Sequence, residues 1–152
     1  MSKLTTKRAI GYAFKDLLKE KSFNKITITD IANKCAINRQ TFYYHFQDIR
    51  DLVEWICIDE VDKLLEEKEK YEKWEDKFLL IFKIIKEEKI FVKNIYHSVS
   101  VEVLRSNLSR LVYPIIYNEI VEKSKGTSLR EEDKKFITDF YKFSFVAIVL
   151  DW

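Results

Sequence analysis

Between Ile26 and Arg50 the chain reads ITITDIANKCAINRQTFYYHFQDIR, and no other stretch constrains the fold as tightly. Thr27, followed three residues later by Asp30, is a capping box, a helix start in which each side chain satisfies the other residue's backbone amide. Ile28, Ile31, Ala32 and Cys35 then recur at helical spacing. Asn38 is a second N-cap only a few residues on. After it, Phe42 and Phe46 share one face at i, i+4 and are expected in the interior. Arg39, Gln40, Thr41, Tyr43, Tyr44 and His45 cover the rest of the cylinder. Two short helices joined by a tight turn, the second exposing polar groups, is the arrangement that enters a DNA major groove.

The rest of the chain continues in the same helical grammar. With two Gly and one Pro in 152 residues, little is available to build hairpins or glycine-rich phosphate loops, so β architectures and nucleotide-binding loops are disfavoured. A first helix is expected from a cap at Thr5 or Thr6 to about Lys21, burying Ile10, Ala13, Phe14, Leu17 and Leu18. Gly11 inside it costs about 1 kcal/mol relative to Ala. Phe23, Ile26, Ile28, Ile31, Ile37, Phe42 and Phe46 complete a small core. Asp48 with Asp51 caps a fourth helix to about Glu67, after which EEKEKYEKWEDK breaks the apolar pattern. Further helices are expected from Trp74 to about Lys86, from about Ile90 to His97, and from Val101, capped by Ser100, to about Ser124. Pro114 should kink the last of these. Ser128 with Glu131 suggests one more capping box, opening a final helix from about Leu129. Beyond Phe136 that helix is apolar on nearly all sides, so it should be buried on more than one face.

Charge is unevenly placed. Residues 1–50 hold ten Lys/Arg against four Asp/Glu, a net +6, while residues 51–152 hold seventeen against twenty-one, a net −4. A basic first third directs one end of the molecule toward a polyanion. No apolar run approaches a membrane span and the N-terminus has no signal-peptide core, so a cytoplasmic protein with no membrane partner is expected. Cys35 and Cys57 are too few for a disulfide framework and no metal-ligand spacing occurs, so they read as reduced, largely buried thiols. Two His and no nucleophile–base grammar argue against an enzyme, with no catalytic residue, metal or cofactor expected.

The T-x-x-D-I-A run, the R-x-T-F-Y-x-H-F-like run from Arg39 and the D-I-R-D-L that follows resemble the DNA-binding domain of the TetR family of bacterial transcriptional regulators. The resemblance covers Thr5 to about Trp55. Asn38–Phe46 with the following Gln47-Asp48-Ile49 and Glu54-Trp55-Ile56 also resembles the dihydroxyacetone kinase regulators within it. The implied fold is all-α: a helix-turn-helix DNA-binding domain over residues 1–50, then a helical-bundle ligand and dimerisation domain over residues 51–152. Family members generally carry a further helix beyond the point where this chain stops, so the second domain is expected to be truncated. The alternative is a naturally short chain whose final helix lies inside an interface.

The expected function is sequence-specific binding of double-stranded DNA by a homodimer on a palindromic operator. Gln40 can read adenine and Arg39 guanine, while Thr41 can pack its methyl on thymine. The resemblance implies phosphate contacts for Tyr43 and His45, and a phosphate or base edge for Tyr44. Lys25, Thr27 and Thr29 would add backbone contacts at the start of the second helix. Two positions depart from the family pattern. Ala36 stands where Gly is usual in the turn. Ile49 stands where Lys usually reaches a phosphate; Arg50 beside it is the candidate substitute for that DNA contact, although it points about 100° away around the helix. In the larger domain, Trp74, Phe78, Phe82, Tyr96, His97, Tyr113, Tyr117 and Phe143 are the candidate walls of an effector pocket. A small-molecule effector and a protein co-activator are both compatible with it. The rival reading is a helical protein-interaction module that does not bind DNA.

Overall fold

The computed structural model describes residues 2–151. Helix α1 spans Lys3–Glu20, α2 Ile28–Lys34, α3 Arg39–His45, α4 Ile49–Lys68, α5 Trp74–Glu87, α6 Lys89–Ser98, α7 Val101–Lys123 and α8 Glu131–Asp151; a single 3-10 turn, Phe23–Lys25, lies between α1 and α2. No strand occurs among the described residues. None of their helices is long and apolar enough to cross a membrane, and none of their His, Cys, Asp and Glu side chains group as a metal site.

The chain forms two compact units, one of Met1–Asp59 with Ile85–Ser100, the other of Glu60–Ile84 with Val101–Trp152. The first unit buries Ile10, Phe14, Leu17 and Leu18 of α1 against Ile31, Phe42, Phe46, Leu52 and Val53. Each such side chain contributes about 1.5–3 kcal/mol, so this helical stripe holds the first unit together. Phe23, Ile28 and Ile37 are only half-buried at its rim. Residues 85–100 return to this unit: Lys15 of α1 pairs with Glu88 at 3.0 Å and its ammonium lies 5.0 Å from the Phe91 ring centroid. Gly11 marks the α1–α4 crossing, since a Cβ there would stand 3.3 Å from Ile56 Cγ1.

Local caps explain the helix ends. The cap of α1 is Ser2, whose hydroxyl accepts from the Thr5 amide, rather than Thr5 or Thr6. Ser2 is the residue whose extended backbone leaves its oxygen facing the first turn. The expected Thr27–Asp30 box is formed in both directions. Asp48 Oδ1 accepts from the Asp51 amide, while Asp51 Oδ2 accepts from the Gln47 amide.

In the second unit α8 lies along α7. Pro114 sits inside α7, which continues to Lys123, and Gly126 (φ 80°) turns the chain beyond it. Helix α8 begins at Glu131, two residues later than expected. The Glu131 carboxylate takes the Tyr117 hydroxyl instead of completing a box with Ser128. The expectation that α8 is buried on several faces does not hold within one chain: Phe136 is 72% exposed, and Phe140, Tyr141, Phe143 and Ile148 also face outward.

Candidate nucleic-acid interface

Helix α3 is built as a platform with a sealed underside. Phe42 and Phe46 are buried, 5.8 Å apart. Asn38 Oδ1 accepts from the Thr41 amide at 2.7 Å and from its hydroxyl at 3.0 Å. That fixes the first turn and leaves the Thr41 methyl for an apolar contact. Arg39 and Gln40 are exposed. The Arg39 guanidinium lies 6.0 Å from the Tyr43 ring centroid, and the edge of Phe42 supports that ring at 5.8 Å. Tyr43 is 48% and Tyr44 73% exposed. Four exposed side chains therefore emerge from seven residues of helix, with Thr41 and His45 half-buried between them and the core.

His45 closes the platform. Its ring meets Tyr44 edge-on at 5.0 Å and Phe46 at 6.4 Å. Nδ1 is buried with no hydrogen-bond partner. Burial, then the nearby charges of Lys3 and Lys7, hold its pKa below the ordinary histidine value.

The other expected contacts sit on neighbouring segments. Lys25 is exposed in the 3-10 turn and Thr29 on the first turn of α2. The Thr27 hydroxyl and amide both bind Asp30, at 2.8 Å each to Oδ2, so its side chain serves the cap. The second Asp30 oxygen pairs with Lys21 at 2.9 Å. Lys21 and then Thr27 lower the Asp30 pKa to about 2, and the pairing offsets a negative charge near α3. Arg50 is exposed on α4, while Ile49 is half-buried. Ala36 adopts φ 55°, so the turn uses the left-handed conformation without the glycine that favours it.

Sequence reasoning missed Lys3 and Lys7. Their ammonium groups lie 5.5 Å from the Tyr44 centroid and 4.9 Å from that of Phe46. The one available signal was their i, i+4 spacing ahead of the buried stripe.

Several of the candidate pocket residues pack ring against ring. Trp74 meets Phe78 edge-on at 5.8 Å, and Phe78 and Phe82 both pack on Phe145, at 4.7 and 5.5 Å. Tyr113 stacks on Tyr117 at 5.8 Å. Lys142 caps both Tyr113 and the exposed Phe143. Tyr96 and His97 are exposed on α6, in the other unit. An open groove of about 560 Å³ at the α7–α8 turn is lined by Ile120, Ser124, Leu129 and Ile137 among others, and by none of the eight. Cys35 and Cys57 form no disulfide; burial raises the Cys35 pKa, away from a reactive thiolate.

Residues 13–56 match the family model described as bacterial regulatory proteins, tetR family, and residues 72–152 match that of a transcriptional regulator C-terminal region. The chain is similar to the HTH-type dhaKLM operon transcriptional activator DhaS of Lactococcus lactis subsp. lactis (strain IL1403). The two are 32% identical over 93 residues, which is 61% of this chain and 50% of that protein. The chain thus spans about half the length of the curated relative it matches. A solved structure titled dihydroxyacetone kinase operon activator DhaS superposes with a TM-score of 0.77 at 25% identity, covering 97% of this chain and 84% of the other.

Proposed function

Because the chain belongs to the TetR family of bacterial regulatory proteins, we propose that it regulates transcription by binding operator DNA as a homodimer, one α3 in each of two major grooves. The observation that carries this is the asymmetry of α3. Phe42 and Phe46 are sealed beneath it, while Arg39, Gln40, Tyr43 and Tyr44 stand in solvent. An interaction module would need no such array of base-reading and phosphate-holding groups above a basic first third.

The exposed apolar face of α8 supports pairing. Phe136, Phe140, Tyr141, Phe143 and Ile148 form a patch of a kind that marks an association surface. A second copy, presenting the same patch about a two-fold axis, covers it. Regulatory input is assigned to the second unit, by a small molecule or a protein co-regulator. The two relatives are named as activators of the dhaKLM and the dihydroxyacetone kinase operon, and we extend activation of an operon of that kind to this chain. Such a protein works in the cytoplasm by binding, without catalysing a reaction.

Selection of bound sites from random duplexes tests this reading. The expected result is one enriched palindrome, its half-sites about one helical turn apart or somewhat more. Binding without any sequence preference, or no binding, overturns it.

A further inference from the structure

Lys3 and Lys7 stand one turn apart on α1 and reach the reading head from outside it. Lys3 Nζ is 5.5 Å from the Tyr44 ring centroid; Lys7 Nζ is 4.9 Å from that of Phe46 and 5.3 Å from that of Trp55. The rings form a shelf running from the exposed Tyr44 to the buried Phe46 and half-buried Trp55: Tyr44 to His45 is 5.0 Å, His45 to Phe46 6.4 Å, and Phe46 to Trp55 5.7 Å. Two ammonium groups therefore share a shelf with an imidazole whose Nδ1 has no partner.

Among the described residues neither lysine has a carboxylate partner. Several other cations of the same unit do: Arg8 pairs with Asp59, Lys21 with Asp30, and Lys34 with Glu20. Gathering like charges without a counter-charge is unfavourable until an anion arrives. Aromatic faces hold such cations weakly through the ring quadrupole, which positions them without neutralising them. Ile49, at the start of α4, supplies no cation of its own.

We propose that Lys3 and Lys7, over the Tyr44–Trp55 aromatic shelf, form a site for a DNA backbone phosphate beside the reading helix. The site rests on the DNA-binding reading above and adds affinity and register without sequence preference.

The test measures binding of the full chain, and of Lys3→Gln, Lys7→Gln and the double variant, to a mixed-sequence duplex as sodium chloride is raised. Each lost phosphate contact should flatten the log–log salt slope by about 0.9. Lys7→Arg should keep the wild-type slope. The affinity ratio between the selected palindrome and mixed-sequence DNA should stay constant. Lys3→Gln guards against a folding artefact, since Lys3 is exposed, and a thermal melt checks each variant. Wild-type slopes in folded variants overturn the site while leaving the DNA-binding reading intact. A wild-type chain that binds neither duplex removes both.

Discussion

Arg8 Nε and Nη2 both donate to one oxygen of Asp59, at 3.1 and 3.0 Å, tying α1 to the buried carboxylate on α4. Removing the guanidinium leaves part of that burial uncompensated. Arg8→Met should lower stability by about 2 kcal/mol, the scale of hydrogen bonds to a charged group. It should fall short of a fully buried pair, because the Arg8 side chain is 39% exposed. Urea unfolding should show a lower midpoint at an unchanged slope.

Ala36 carries φ 55° between α2 and α3. The left-handed region costs a residue with a Cβ about 1–2 kcal/mol, while glycine loses about 0.5–1 kcal/mol more backbone entropy on folding. Ala36→Gly should therefore raise stability by up to about 1.5 kcal/mol, read as a higher unfolding midpoint with operator affinity retained. Ala36→Val, which worsens the same strain, should lower it.

Asp30 titrates at about 2, below its ordinary value of 3.8, because Lys21 and Thr27 favour the carboxylate. A depressed carboxyl stabilises the fold above its unfolded pKa, and that stabilisation is lost as pH falls through the folded value. Thermal melts between about pH 4 and pH 2 should therefore fall less steeply for Asp30→Asn than for wild type. At neutral pH the variant should be the less stable of the two, since the amide cannot reproduce the pairing with Lys21.

Gln40 and Tyr43 should fail differently. Gln40→Ala should relax preference at one base position by about 1–3 kcal/mol, leaving other positions unchanged. Tyr43→Ala should weaken palindromic and mixed-sequence DNA by the same factor, because phosphate contacts carry no sequence information. Competition binding against single-base variants of the selected site separates these outcomes.

Phe140→Glu, on the exposed face of α8, should yield a folded monomer in light scattering. Its operator affinity should drop, since a lone reading head engages one half-site. A dimer of unchanged stability would place the pairing surface elsewhere.

The features encoded within a few neighbouring residues were legible from the chain alone. The Thr27–Asp30 box, the Asn38 cap, the buried Ile10–Leu18 stripe and the Phe42/Phe46 underside follow from hydrogen-bonding chemistry and helical period. These suffice to present Arg39, Gln40, Tyr43 and Tyr44 to solvent. Sequence does not single out Ser2 as the α1 cap, because Thr5 and Thr6 offer the same chemistry one turn later. Which oxygen faces the turn depends on backbone angles that residue type does not specify.

The tertiary structure decided what lies far apart in sequence. Lys3 and Lys7 reach the rings of Tyr44, Phe46 and Trp55 only because α1 crosses close to α4 at Gly11. Residues 85–100 join the first unit, with Lys15 of α1 paired to Glu88 at the start of α6, whereas local pattern suggests only another helix. Phe78 and Phe82 of α5 pack on Phe145 of α8, far along the chain. Periodicity specifies which face of a helix is apolar; what covers that face depends on the path of the rest of the chain or on a second copy. That is why the outward aromatic residues of α8 could be read as apolar from the sequence, but not as uncovered.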